Sequence, residues 1–396
     1  MRKKILIINA AVWMGGDVSM FILGLSFFDP QEYEFHVVSV PHGKIYQHLS
    51  ALPNAKITTM ELGGTENLED NRVSALRRAF TILFAILRIV TIVRKEKVDI
   101  IYALDRTVST SLSYFVSLLT GCPLVLSAHI SHYLHISPLM RRIVKHAVRI
   151  TVPSNDTRSE FLPFVKSPQR VVTVFNALNI DRYDLSISGT SVRSELHIDP
   201  AVPVVLLAAR LSPFKGQDDL IRAAAIIHTQ HPAVRFLLAG AENAGYDAVL
   251  EQMIADYHLE GVVKLIGYRN DLPQVLAACT ILAMPSHGES FGLVALEAMA
   301  MARPVVASRA GGISEFLIDG QMGILIEPRD HKALAQAILD LVNDPVRARE
   351  MGRRGRQQVE AGFTVQTYGP AIVASLNAVI EECRATPRGR ARASLI

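Results

Sequence analysis

The feature that most constrains this chain is an alternation of short, uninterrupted apolar runs with longer stretches of helical hydrophobic periodicity. Residues 5–8, 35–40, 100–102, 124–127, 150–152 and 171–174 have the length and apolar character of strands buried on both faces. Amphipathic helical stretches such as 73–95 and 138–146 run between them. Parallel strands need a crossover long enough to hold a helix, so this alternation predicts a parallel sheet covered on both sides. The rhythm pauses over residues 184–194, where Ser, Gly and Thr collect and a linker is expected. It resumes at 204–209 and continues at 235–238, 263–266, 281–284, 305–307 and 323–326. The expectation is α/β: two doubly wound domains in tandem. The first spans residues 1–184 and the second 195–364. Residues 365–383 read as a helix returning toward the first domain, and 384–396 as a disordered basic tail. Ligands bind beyond the carboxyl ends of such sheets, so two facing sheets would place a cleft between them.

Nearly half of the 396 residues are hydrophobic, which is ample for two cores. The net charge of +4 gives no reason to expect nucleic acid. Cys122, Cys279 and Cys383 lie far apart in no metal or redox spacing, which fits a reducing cytosol. The start, Met1-Arg-Lys-Lys4 and then the apolar residues 5–14, has the outline of a secretory signal. Asn9 interrupts it, however, and Gly15-Gly16-Asp17 follows with no small-x-small cleavage site, so a buried strand entering a glycine turn is the better reading. Residues 80–93 come nearest to a membrane span and are broken by Arg88. A cytoplasmic location is therefore expected. Basic residues gather in the first domain, at Arg72, Arg77, Arg78, Arg88, Arg94, Lys95 and Lys97, and again at Arg141, Arg142, Lys145 and Arg149. They suit peripheral contact with an anionic membrane surface as well as they suit an ordinary solvated face.

The stretch richest in chemistry is Met284-Pro-Ser-His-Gly-Glu289-Ser-Phe-Gly-Leu-Val-Ala-Leu-Glu297-Ala-Met-Ala-Met301. A strand ends, a loop follows, and a helix apolar on almost every face begins near Ser290 to Gly292. Glu297 inside that helix is out of place as a solvated residue; it is either a satisfied structural carboxylate or a ligand-binding one. Glu289, just ahead of the helix, is either a helix-dipole partner or a ligand. Eight helical residues rise about 12 Å, roughly an extended nucleotide sugar, so one carboxylate can take sugar hydroxyls and the other ribose hydroxyls. The free N–H groups at Phe291, Gly292 and Leu293 would face a diphosphate between them, with glycine at 292 allowing close approach. Directly after the first strand of the second domain stands Ala209-Arg210-Leu-Ser-Pro-Phe-Lys215-Gly216. Two cations at a strand end can neutralise a pyrophosphate and the charge that grows as it leaves.

These motifs resemble the retaining glycosyltransferase family 4, the glycosyl transferases group 1, whose GT-B fold pairs two Rossmann-like domains. The two glutamates within Glu-Ser-Phe-Gly-Leu…Glu-Ala-Met-Ala, followed by Arg303-Pro-Val-Val-Ala307 and Gly311-Gly312…Glu315, carry the resemblance. It implies that Glu289 contacts the donor sugar, that Glu297 contacts the ribose, and that Arg210 and Lys215 clamp the diphosphate. It further implies that the first domain is the acceptor side and the second binds the nucleotide sugar. Gly15-Gly16 matches a loop that closes on the donor phosphate, although Asp17-Val-Ser19 follows where the family often has a small residue and a glutamate. His129, after Ser127-Ala128, matches a histidine that reaches the sugar. Tyr268 or Arg269, in Gly267-Tyr-Arg-Asn-Asp-Leu272, lies where the family packs against the nucleobase, and Ser290 belongs to the same donor loop as Glu289. His129, His132 and His135 recur at a spacing open to metal, but no Asp-x-Asp motif is present and the resemblance implies no cofactor and no metal.

The expected function is transfer of a hexose or N-acetylhexosamine from an NDP-sugar donor, UDP by family frequency, with the anomeric configuration retained. The acceptor would be a hydroxyl of a saccharide, a lipid-linked saccharide or a metabolite, in cell-envelope polysaccharide or glycolipid synthesis. The alternatives are a UDP-sugar epimerase of the same fold and a non-catalytic sugar-nucleotide-binding protein.

Overall fold

The structure, a computed structural model, describes residues 2–10, 16–41, 43–62, 75–104, 107–129, 137–241 and 245–385. The chain divides into two units. One comprises residues 1–175 together with the stretch from Gln366, and the other is Asn176–Val365.

In the first unit, β1 (Lys3–Asn9), β2 (Tyr33–Ser39), β3 (Ala55–Thr59), β4 (Ile100–Leu104), β5 (Leu124–Ser127), β6 (Arg149–Val152) and β7 (Val171–Thr173) form one parallel sheet. Their spatial order is β3-β2-β1-β4-β5-β6-β7. Residues 5–8 of β1 are fully buried at the centre of the sheet, which is why that opening run is so apolar. β3 was not legible in the sequence. It is an edge strand paired only with β2, and its half-exposed residues need no continuous apolar run. The helix Pro138–His146 starts on an N-cap, with the Ser137 hydroxyl accepting from the Met140 N–H and proline at the first turn.

The C-terminal helix runs Val365–Ala385 and groups with this unit from Gln366 on. Lys3 Nζ donates to Asn377 at 2.5 Å and Arg149 pairs with Glu382 at 3.0 Å. Arg384, expected to open the tail, is instead helical and grips Asp99 with two hydrogen bonds of 2.9 and 3.0 Å. Residues 386–396 of the expected tail lie outside the described residues, as do Gly15, Arg72, His132 and His135.

In the second unit, β8 (Val204–Ala208), β9 (Arg235–Ala239), β10 (Val263–Gly267), β11 (Ile281–Met284), β12 (Val305–Ser308) and β13 (Gly323–Ile326) form the other parallel sheet. The spatial order is β10-β9-β8-β11-β12-β13. The expected linker at residues 184–194 is not a free connection. Leu178 N–H donates to the Phe363 carbonyl at 2.9 Å, and Tyr183 and Val192 are buried. Residues 190–195 form a short helix, whose Arg193 donates to the Ala278 carbonyl at 2.9 Å. The Ser, Gly and Thr content reported irregular backbone; two buried side chains make that backbone part of the second unit.

Candidate active site

In the second sheet the strand order reverses between β8 and β11: β9 and β10 lie to one side, β12 and β13 to the other. Chains leaving the two strands diverge, and the crevice at their carboxyl ends is where doubly wound sheets bind ligands. The two loops that leave there carry Arg210, Lys215 and Glu289.

The loop after β8 is tightly held. Ala209 N–H donates to the Ala239 carbonyl at 2.9 Å and Leu211 N–H to that of Ala241 at 3.1 Å. Ser212 then caps a 3-10 turn, Pro213–Lys215. Gly216 ends the turn with φ 70°, and a Cβ there would stand 2.2 Å from the Pro285 carbonyl oxygen. The His287 N–H donates to the Phe214 carbonyl at 2.8 Å. The backbones of the two loops are thus fastened together, which fixes where the Lys215 and Glu289 side chains start.

Those side chains meet. Lys215 Nζ lies 2.5 Å from Glu289 Oε1, and the buried Ser286 hydroxyl donates to the same oxygen at 3.0 Å. The ammonium is about a quarter exposed and the carboxylate less, so the pair is shielded yet reachable. Glu289 Oε2 and the exposed Arg210 guanidinium have no partner among the described residues. The Arg210 carbonyl accepts from Gln217 Nε2 at 3.1 Å, so its backbone is held. Gly311 presses on the other side of Glu289: with φ 63°, a Cβ there would fall 1.5 Å from the Glu289 carbonyl oxygen.

The following helix is Leu293–Ala300, with Gly292 as N-cap and no side chain capping it. Phe291 is buried and stacks near Phe316, centroids 4.9 Å apart, so its side chain belongs to the core. Ser290 is half-buried at the loop. Glu297 Oε1 accepts a 2.5 Å hydrogen bond from the Tyr183 hydroxyl, and Oε2 has no partner among the described residues. Burial pushes the Glu297 carboxyl above its ordinary range, opposed by the Tyr183 hydrogen bond and by Arg182. The Tyr183 hydroxyl is raised as well, by burial first and then by Glu297.

The remaining candidates are less concentrated. Tyr268 is exposed beyond β10. Arg269 is held by Glu195 at 2.6 and 3.0 Å and by Asp271 at 2.7 and 2.8 Å, which raises its pKa and leaves little of its guanidinium for a ligand. Gly16 begins a helix of the first unit. His129 follows β5 in that unit, with Nε2 3.3 Å from the Ser127 hydroxyl. Asp218, Asp219 and His287 come close enough to share a cation. Arg222 already pairs with both carboxylates, at 2.7 and 3.2 Å, and its charge opposes a second cation.

Two family models match this chain: glycosyl transferases group 1 over residues 190–358 and Glycosyltransferase Family 4 over residues 27–182. The chain belongs to glycosyltransferase family 4. Among curated family relatives, the D-inositol 3-phosphate glycosyltransferase of Streptomyces avermitilis is 29% identical over 251 residues, covering 59% of this chain and 54% of the relative. That of Pseudarthrobacter chlorophenolicus is 32% identical over 259 residues, covering 58% of each. The chain thus spans little more than half the length of the curated relatives it matches. HepE of Anabaena, solved with UDP and glucose, superposes with a TM-score of 0.78 at 25% identity, covering 95% of this chain and all of HepE. Sucrose-phosphate synthase of Thermosynechococcus elongatus superposes with a TM-score of 0.78 at 20% identity over 96% of this chain and all of the synthase. The two parallel Rossmann-like sheets of this family 4 chain are those of the GT-B fold.

Around the candidate site, several residues were not legible in the sequence as contributors. Ser286 lies in the motif, but nothing in its type marks a carboxylate partner. Gly311 carried part of the family match, but its pressure on Glu289 appears only in three dimensions. Tyr183 sits in a polar turn far from Glu297 in the chain, and the one signal available was a large aromatic isolated among polar residues.

Proposed function

We propose that this chain transfers a hexose or N-acetylhexosamine from a UDP-sugar to a hydroxyl of a saccharide, lipid-linked saccharide or metabolite acceptor, with the anomeric configuration retained. The observation that carries the reading is the Lys215–Glu289–Ser286 cluster at the strand-order reversal, on the two loops that also carry Arg210. UDP is favoured because HepE, similar along almost its whole length, was solved with UDP and glucose.

Each group has a task its chemistry suits. The Lys215 ammonium has three donors and gives one to Glu289, leaving two for the departing diphosphate. Arg210 supplies a planar, permanently charged fork for the same phosphates. The uncapped N-terminus of the Leu293–Ala300 helix adds backbone N–H groups and the positive end of its dipole. Glu289 offers Oε2 to sugar hydroxyls. Its Oε1 is already hydrogen-bonded twice, which makes Glu289 a positioner and a poor nucleophile. Retention then runs by the same-face route: the donor phosphate oxygen takes the proton of the incoming hydroxyl as the glycosidic bond to the diphosphate breaks. Glu297 Oε2 takes the ribose hydroxyls, and the exposed Tyr268 ring flanks the base. No metal is needed for charge that two cations and a helix terminus can meet.

A thermal-shift screen against nucleotide sugars tests the donor class, since a ligand at about a hundred times its Kd stabilises the folded state by about 2.7 kcal/mol. Stabilisation by UDP-hexoses is expected. NMR of protein plus donor without acceptor is the second arm: a 4-epimer accumulating there would replace transfer with epimerisation.

Tyr183→Phe should separate affinity from turnover. It removes a hydrogen bond to a charged group, about 1.5–3 kcal/mol, so donor Kd should weaken at least about tenfold with kcat nearly unchanged. The Tyr183 bond lowers a carboxyl that burial has raised, so its loss raises the Glu297 pKa further. Donor binding needs the ionised form, so affinity in the variant should begin to fail at a higher pH than in the wild type as the solution is acidified. A donor-binding pH profile that does not move would remove Glu297 from the donor site.

A further inference from the structure

We propose that the outer face of the first unit's Ala75–Glu96 and Thr107–Thr120 helices docks on an anionic phospholipid bilayer. The longer helix is apolar on two sides. One side, with Ala85, Ile86, Ile89, Val90 and Val93, is buried in the core. The other carries Phe80, Leu83, Phe84 and Leu87, which are 64%, 53%, 66% and 55% exposed. Their spacing puts them in one stripe along the helix. The neighbouring helix adds Phe115, Leu118 and Leu119, also exposed. Arg94 Nη2 donates to the Leu119 carbonyl at 3.2 Å, joining the ends of the two helices into one surface. A contiguous apolar face that folding does not require has its use outside the fold.

The charge around the stripe decides the occupant. Arg77, Arg78, Arg88, Arg94 and Lys95 are all exposed on the same helix. Its only acidic residue, Glu96, is taken by Lys56 at 2.5 Å and Lys4 at 3.7 Å. Arg141, Arg142 and Lys145 are exposed on the helix Pro138–His146, which packs against the Thr107–Thr120 helix. A second copy of this chain docked face to face would set arginines against arginines, whereas anionic headgroups are of opposite sign. An apolar stripe between basic residues matches a helix lying in the headgroup region. No helix of the described residues is long and apolar enough to cross a membrane.

The proposal deepens the lipid-linked acceptor reading and rests on it for its purpose. The test is sedimentation of the full chain with phosphatidylcholine vesicles, with and without phosphatidylglycerol, at low salt. Binding is expected only with phosphatidylglycerol and should weaken as salt rises. Arg77→Glu/Arg88→Glu should cut the partition at least about fivefold per arginine, the equivalent of about 1 kcal/mol each. Phe80→Ser/Phe84→Ser should cut it at least about tenfold. Both variants should keep wild-type circular dichroism and wild-type turnover in vesicle-free solution, an assay that reports on glycosyl transfer by itself. Three results overturn the proposal: wild type that ignores anionic vesicles, variants that bind like wild type, or a concentration-dependent dimer that the same substitutions dissolve.

Discussion

Lys215→Ala is expected to lower turnover at least ~100-fold while leaving the protein folded, because a cation placed on the leaving diphosphate stabilises the transition state by ~3 kcal/mol. The two halves of that expectation rest on different observations. The catalytic half rests on position: Lys215 ends a turn fastened to the β11 loop, and its ammonium lies 2.5 Å from the carboxylate proposed to hold the sugar. The stability half rests on exposure. A partly exposed ion pair contributes at most ~1 kcal/mol, and after its loss Glu289 still accepts from Ser286 and can be hydrated. Steady-state release of the nucleoside diphosphate gives the rate, and a thermal melt with and without donor gives the fold. Glu289→Ala should match it in turnover, since the sugar would lose its positioning group. A melt unchanged beside a lost rate identifies chemistry; a collapsed melt would mean the pair is structural.

Gly311→Ala should act through the fold instead, destabilising the second unit by roughly 2–4 kcal/mol and taking activity with it. Gly311 has a left-handed φ of 63°, and its Cβ would land 1.5 Å from the Glu289 carbonyl oxygen. That contact is with backbone, so no rotamer change relieves it. Either the Gly311 loop or the Glu289 loop must move, and the second displaces the carboxylate from Lys215. Urea unfolding followed by circular dichroism measures the first effect and donor Kd the second. A fully stable Gly311→Ala protein with wild-type donor affinity would show that the loops are not held as described.

Much of this architecture was legible because parallel strands buried on both faces must be continuous apolar runs. The central strands β1, β4, β8 and β11 announce themselves that way. β3 does not, since an edge strand with one neighbour can alternate or stay polar. The stretch at 184–194 was legible as irregular but not as packed; that depends on Tyr183 and Val192 finding partners elsewhere in the unit. The site divides in the same way. Glu297 stood out as a charge inside an apolar helix, and Arg210 and Lys215 as cations after a strand. The pairings did not stand out, because Lys215 and Glu289 are 74 residues apart and Tyr183 and Glu297 are 114. Arg269 shows the cost of reading type without partners: a cation in a loop suggests a ligand, but Glu195 and Asp271 already hold it. Residue type states what chemistry is available, and the fold decides which of it is already spent.

The most direct measurement is nucleoside diphosphate release by the full chain from a panel of UDP-hexoses and UDP-N-acetylhexosamines, beside Lys215→Ala and Glu289→Ala. With at least one donor, wild type should release UDP, leave the sugar unepimerised, and outpace both variants at least ~100-fold. Folded Lys215→Ala and Glu289→Ala proteins that release UDP at the wild-type rate would contradict the account.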